Sequence, residues 1–109
     1  MLRTGIEGNT VIKFVILREM SQFMLRPYQN IYGTIKHGKG CSFGAFVDIG
    51  DAEFGENCKI QSFVSIPSGW KFGNNVFIGP GAQFANDDKP RIGLKWSPQG
   101  GIVEDGASI

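Results

Sequence analysis

Large apolar residues recur every six positions through the centre of this chain. Phe54, Ile60, Ile66, Phe72, Ile78 and Phe84 follow one another at that step. Ile31, Phe43 and Ile49 keep the same beat, with His37 on the missing rung. A small or β-branched residue stands two positions before most rungs, at Cys41, Val47, Ala52, Cys58, Val64, Val76 and Ala82. A glycine often follows the rung, as at Gly44, Gly50, Gly55, Gly73 and Gly79. A hexapeptide repeat of this kind is the mark of a parallel β-helix.

Three hexapeptides make one triangular turn of about 18 residues, with short strands on three faces. One step is short, since Ile49 to Phe54 spans five residues. Counting through it predicts three stacked columns. Ile31, Ile49, Ile66 and Phe84 form the first; His37, Phe54 and Phe72 the second; Phe43, Ile60 and Ile78 the third. Neighbouring rungs are expected ~4.8 Å apart, the spacing of paired strands. Cys41 and Cys58 then stack in adjacent coils with parallel side chains, which reads as two small core residues rather than a disulfide. His37 reads as the lower end of its column. Trp70 shares a small-residue position with Ala52 and Ile35, where an inward indole would overpack the prism, so it is expected to turn outward to a subunit interface.

Texture divides the chain. Residues 1–30 do not follow the repeat. Val11 to Leu17 reads as a strand by its β-branched content, whereas Phe14 to Leu25 also fits a short amphipathic helix; the pattern does not choose. Residues 31–109 carry the repeat, with a polar, turn-rich loop at 86–101. The repeat is expected to resume at Ile102, with Ile109 as the next rung. The last coil then has open strand edges, and an uncapped solenoid end predicts association or a sequence cut short.

Composition narrows the chemistry. With 109 residues the chain is one small domain, and its net charge of +1 comes from interspersed acids and bases. That balance gives no reason to expect nucleic acid or an anionic membrane as partner. No apolar run is long enough to span a membrane, and the N-terminus lacks a signal-peptide pattern, so a cytoplasmic protein is the default. One His and two Cys cannot make a zinc cluster, and no metal is expected.

The runs 50–67 and 73–81 resemble the hexapeptide acyltransferases. The second run leads into Phe84-Ala85-Asn86-Asp87-Asp88-Lys89-Pro90-Arg91, which is most similar to the nucleotide-sugar N-acetyltransferases. Their signature is a rung aromatic, then Thr-Asn-Asp, two variable residues, Pro and Arg; Ala85 replaces the usual Thr. The closing run 104–109 resembles the repeat that follows the loop in that family. The resemblance covers roughly residues 30–109. It implies an all-β fold, a left-handed parallel β-helix of about four triangular coils with a non-repeat N-terminal segment.

It also implies a reaction: transfer of acetyl from acetyl-CoA to an amino group of a dTDP- or UDP-linked deoxysugar, in a homotrimer with sites between subunits. By the same resemblance Asn86 is the catalytic residue, holding the amine through its side-chain carbonyl so that the lone pair faces the thioester. Asp87 would orient the loop or contact sugar hydroxyls. Arg91 suits a pyrophosphate or carboxylate, because its planar fork donates two bonds at once. Trp96 could stack on a base or sugar ring, or cover the open end of the coil. Ordinary turn chemistry at Asn-Asp-x-x-Pro, with Arg91 pairing Asp87 or Asp88, is the alternative. Family members continue for several coils after the position of Ile109, and those coils carry most of the acetyl-CoA groove. The competing expectation is therefore a shortened, non-catalytic β-helix that keeps only the oligomerisation or sugar-binding surface. A γ-type carbonic anhydrase shares the fold but needs three His ligands, and His37 is the only His.

Overall fold

The computed structural model describes residues 2–7 and 10–16 as backbone, and residues 28–93 and 95–109 in full. These residues form strands and turns, with no helix among them. β1 (Leu2–Glu7) pairs antiparallel with β2 (Thr10–Ile16). Every other strand pairing is parallel. The arrangement is β-helix-like, with three stacks of short strands around one core.

The stacks follow the predicted columns. β3 (Asn30–His37) serves two of them, because it bends at Gly33 and runs along both faces. Its first half pairs with β5 (Asp48–Ile49), which pairs with β8 (Ser65–Ile66), placing Ile31, Ile49 and Ile66 in line. A bridge from Ser65 to Gln83 adds Phe84 on top. The second half of β3 pairs with β6 (Ala52–Phe54), and β6 with β9 (Trp70–Phe72), aligning His37, Phe54 and Phe72. β4 (Ser42–Phe43), β7 (Lys59–Ile60) and β10 (Phe77–Ile78) make the third stack, aligning Phe43, Ile60 and Ile78.

One rung differs from the sequence reading. In β11 (Ile102–Val103), Val103 pairs with Phe72 while Ile102 pairs with the outward Lys71. The repeat therefore resumes at Val103. Ile102 stands in solvent, and Ile109 lies above the third stack, bonded to Phe77 and Gly79.

Why this sequence closes into such coils is visible in the core. The rungs from Ile31 to Ile78, His37 included, are all buried, and so are the small residues Cys41, Val47, Ala52, Cys58, Val64 and Val76 between them. Each full burial of an Ile or Phe contributes about 1.5–3 kcal/mol. The rings of Phe54 and Phe72 stack at 4.8 Å with planes 6° apart. Cys41 and Cys58 are free and buried, their thiols facing the carbonyl oxygens of Gly55 and Gly73 at 3.0 and 3.1 Å. The glycine after a rung is required by the coil above: a Cβ on Gly44 would lie 2.6 Å from the amide nitrogen of Ser62.

Corner amides are capped by the next coil. Asp51 Oδ1 accepts from Thr34 N at 2.6 Å, and Ser68 Oγ accepts from Asp51 N at 2.9 Å. At another corner Asn74 Oδ1 accepts from Glu56 N, and Asp105 Oδ1 from Asn74 N. Such side-chain acceptors replace the ladder bonds that a turn cannot make.

The N-terminal segment resolves in part. β2 pairs parallel with β3, Ile12 opposite Ile31 and Val15 opposite Ile35, with an irregularity between Ile12 and Phe14. It is thus a strand laid under the first coil. The remainder of the possible helix, 17–25, lies outside the described residues.

Candidate functional site

The loop expected at 86–101 leaves the first stack after Phe84 and returns at β11, entering the second. Its neck is tied to the coil below. Asn86 donates from Nδ2 to the carbonyl oxygen of Ser68 at 3.0 Å. Gln99 N donates to the Asn86 carbonyl oxygen at 2.7 Å, closing the loop on itself. Trp70 Nε1 donates to the Ala85 carbonyl oxygen at 2.9 Å.

Trp70 does not turn out to a free surface. Its indole is half-buried against the core, with ring centroids 4.9 Å from Phe84 and 6.3 Å from Phe72. Overpacking is avoided because Ala52 lies below it and Gly101 above; a Cβ on Gly101 would come within 2.8 Å of the indole. The bulky residue thus becomes the floor on which the loop sits.

A groove of about 450 Å³ runs along the foot of the loop. Its lining includes Ser68, Trp70 and Pro98 together with Lys36, Glu53 and Lys71. The last three stand one above another on the outer face of β3, β6 and β9. Glu53 holds Lys36 at 3.7 Å and Lys71 at 3.4 Å through its two oxygens. All three are exposed enough that these pairs add little stability; their effect is to array two cations and one anion along the groove. A second groove of about 470 Å³ continues upward, lined by Lys71, Phe72, Ile102, Val103 and Asp105. Lys71 borders both. Volumes of this size suit a small-molecule ligand.

The predicted site residues separate into two groups. Asn86 and Asp87 are half-buried at the neck. With Nδ2 committed to Ser68, Asn86 keeps its Oδ1 as an acceptor that no described residue uses. Asp87 Oδ1 accepts from Lys89 N at 3.0 Å, the local turn expected of Asn-Asp before Pro90. Arg91 and Trp96 stand exposed on the outer part of the loop, and Arg91 makes no ion pair with Asp87 or Asp88. The structure does not bring these two against Asn86. Sequence reading missed Lys36, Glu53 and Lys71, although their 17- and 18-residue spacing repeats the coil length. Among the described residues no group of His, Cys, Asp or Glu could hold a metal ion.

No protein-family model, curated protein or solved structure matches this chain.

Proposed function

We propose that the chain is a left-handed parallel β-helix of the hexapeptide acyltransferase type. On this reading it transfers acetyl from acetyl-CoA to the amine of a dTDP- or UDP-linked deoxysugar, in the cytoplasm and as a homotrimer or other homo-oligomer. One observation carries it. A loop with the resembling Asn-Asp-x-x-Pro-Arg pattern breaks the columns at one corner, and its Asn86 is latched through Nδ2 to Ser68, a residue that lines the groove, which leaves Oδ1 available.

The chemistry follows from that arrangement. A sugar amine attacks a thioester only as the neutral base, with its lone pair directed at the carbonyl carbon. Asn86 Oδ1 would accept one amine hydrogen and fix that direction. Positioning of this kind supplies much of the rate in a reaction between two bound partners. Asp87 would reach sugar hydroxyls. Lys36 and Lys71, already partly neutralised by Glu53, would meet the pyrophosphate, with Arg91 and Trp96 closing over nucleotide from the loop. The upper groove is walled by Phe72, Ile102 and Val103, which suits the apolar arm of acetyl-CoA; the bound donor supplies the activated acetyl group. Both ligands would then meet at Lys71.

A second reading has its own support. Arg91 and Trp96 are exposed and make no hydrogen bond to Asn86, which fits a β-helix that binds sugar or assembles without turnover.

Calorimetric titration with acetyl-CoA, followed by thiol release with dTDP- and UDP-linked amino sugars, separates the two. Saturable micromolar binding and acetyl transfer that Asn86→Ala abolishes are expected of the enzyme. Absence of both leaves the non-catalytic β-helix.

A further inference from the structure

One corner of the molecule carries a row of aromatic rings that plays no part in the core. Tyr28, Phe46 and Phe63 occupy the turn between the third stack and the first, each one coil above the last. Their rings stack face to face at 5.2 and 5.1 Å, with planes 8° and 10° apart. Yet they are 52%, 49% and 59% exposed. All three adopt left-handed backbone, with φ of 64°, 60° and 64°. Bulky residues avoid that region, and glycine or asparagine is the ordinary occupant. The other left-handed corner follows the rule, with Gly40, Asn57, Asn75 and Gly106. Stacking of the rings on one another offsets part of that strain, yet about half of each ring is left in water. Strain kept at a surface position motivates a functional reading.

The surroundings say what kind of partner fits. Residues 43–47, 60–64 and 77–83 contain no Asp, Glu, Lys, Arg or His. Aromatic enrichment with loss of charge is the composition of a protein interface core. Three half-exposed aromatic side chains offer about 300 Å² of apolar surface, a large share of the ~800 Å² that each partner buries in a stable complex. Above Phe63 the ladder stops at Gly81, which has φ of 78° and nothing within 4 Å of a Cβ position. Among the described residues no ring therefore continues the stack above Phe63, which is 59% exposed.

We propose that this ladder is the contact through which a second copy of the chain packs against the first. Its rungs repeat at the rise of one coil. A partner that matches several rungs at once must present side chains at the same rise, and another copy of this β-helix-like chain does so over its whole length. The ladder of one copy lies along the ladder of the other, and the Gly81 gap takes the end ring of the neighbour. The inference shares with the acetyltransferase reading only the expectation of self-association. Its readout is mass, which does not depend on acetyl-CoA.

The test is sedimentation equilibrium of the full chain across the micromolar range. Wild type is expected to self-associate. Phe46→Asn with Phe63→Asn removes two rings while suiting the left-handed backbone, and should weaken association by about tenfold or more with an unchanged circular dichroism spectrum. If the double variant fails to fold, Phe63→Asn alone, at the uncovered end of the stack, is measured in its place. Ile109→Asp, at an exposed rung above the third stack, should leave the mass as in wild type. A monomeric wild type overturns the proposal. So does a folded ladder variant with wild-type mass, or dissociation by Ile109→Asp alone.

Discussion

Asn86 donates to the carbonyl oxygen of Ser68 across 3.0 Å, from the neck of the loop to the coil beneath it. The bond fixes which end of the amide is left over: Oδ1, the end an incoming amine would need. Asn86→Asp keeps the shape but loses the donor, and sets a carboxylate against a carbonyl oxygen. Both Asn86→Ala and Asn86→Asp are expected to abolish acetyl transfer. Asn86→Ala should cost only about 0.5–1.5 kcal/mol of stability, the net worth of one such bond, and Asn86→Asp more, because it leaves a charge facing an acceptor. Denaturant titration checks the second half; activity equal to wild type in either variant would sink the assigned role.

Gly44 and Gly81 make a matched pair. At Gly44 a methyl group would press on the backbone of Ser62, which cannot move without moving its coil. At Gly81 there is open space, and only the left-handed φ of 78° opposes a side chain. Gly44→Ala is expected to cost about 2–3 kcal/mol by overpacking, and Gly81→Ala about 1 kcal/mol. Thermal melts should show the first falling well below the second. The reverse order would mean that coil spacing is softer than the stacked glycines imply.

A hydrogen bond to the Cys58 side chain, followed by burial, pushes the Cys41 thiol above its ordinary value of 9.0. The folded chain therefore holds this proton more tightly than the unfolded chain. The associated stability is fully present below about pH 9 and is lost as pH rises beyond it. Cys41→Ala should flatten the alkaline limb of a stability–pH curve measured by urea unfolding. An unaltered slope above pH 9 in that variant would refute the assignment. Neither thiol should react with an aromatic disulfide reagent before the chain unfolds, since both lie in the core.

The two tryptophans report on different places. Trp70 is half-buried between Phe72 and Phe84, whereas Trp96 is 57% exposed. Trp96→Phe should leave a blue-shifted emission that acrylamide quenches poorly. Trp70→Phe should leave a red-shifted, readily quenched one, and should also loosen the loop neck by removing the bond to Ala85. Indistinguishable spectra from the two variants would contradict the packing of Trp70 under the loop.

The columns were readable in the sequence because a coil must place an apolar rung over an apolar rung, and the six-residue beat records that need directly. His37 under Phe54 follows from counting alone. Elsewhere the beat carried less. β2 lies below the first coil without sharing its repeat, so strand and helix fitted its residues equally. Val103 took the rung expected of Ile102, because both are β-branched and the loop erases the count. Trp70 appeared too large for an inward position, since the compensating Gly101 lies across the loop. Gln29, fully buried and donating to the carbonyl oxygens of Phe43 and Gly44, had no periodic sign at all. The exposed ladder of Tyr28, Phe46 and Phe63 did have one, a spacing of 18 and 17 residues, but it lies off the apolar rungs.

The corner that bends at Gly33 in the first coil also holds the short step and the loop. From first-stack rung to second-stack rung the chain takes six residues from Ile31 to His37 and five from Ile49 to Phe54. It takes six from Ile66 to Phe72 and nineteen from Phe84 to Val103. The strands on either side keep their pairing throughout. Length is therefore free to vary at this one edge, whereas the other two corners are held by stacked left-handed turns. A foreign peptide spliced between Lys89 and Arg91, in the exposed part of the loop, would be carried as a display segment, while the same splice at Phe46 or Asn57 would throw every later rung out of line.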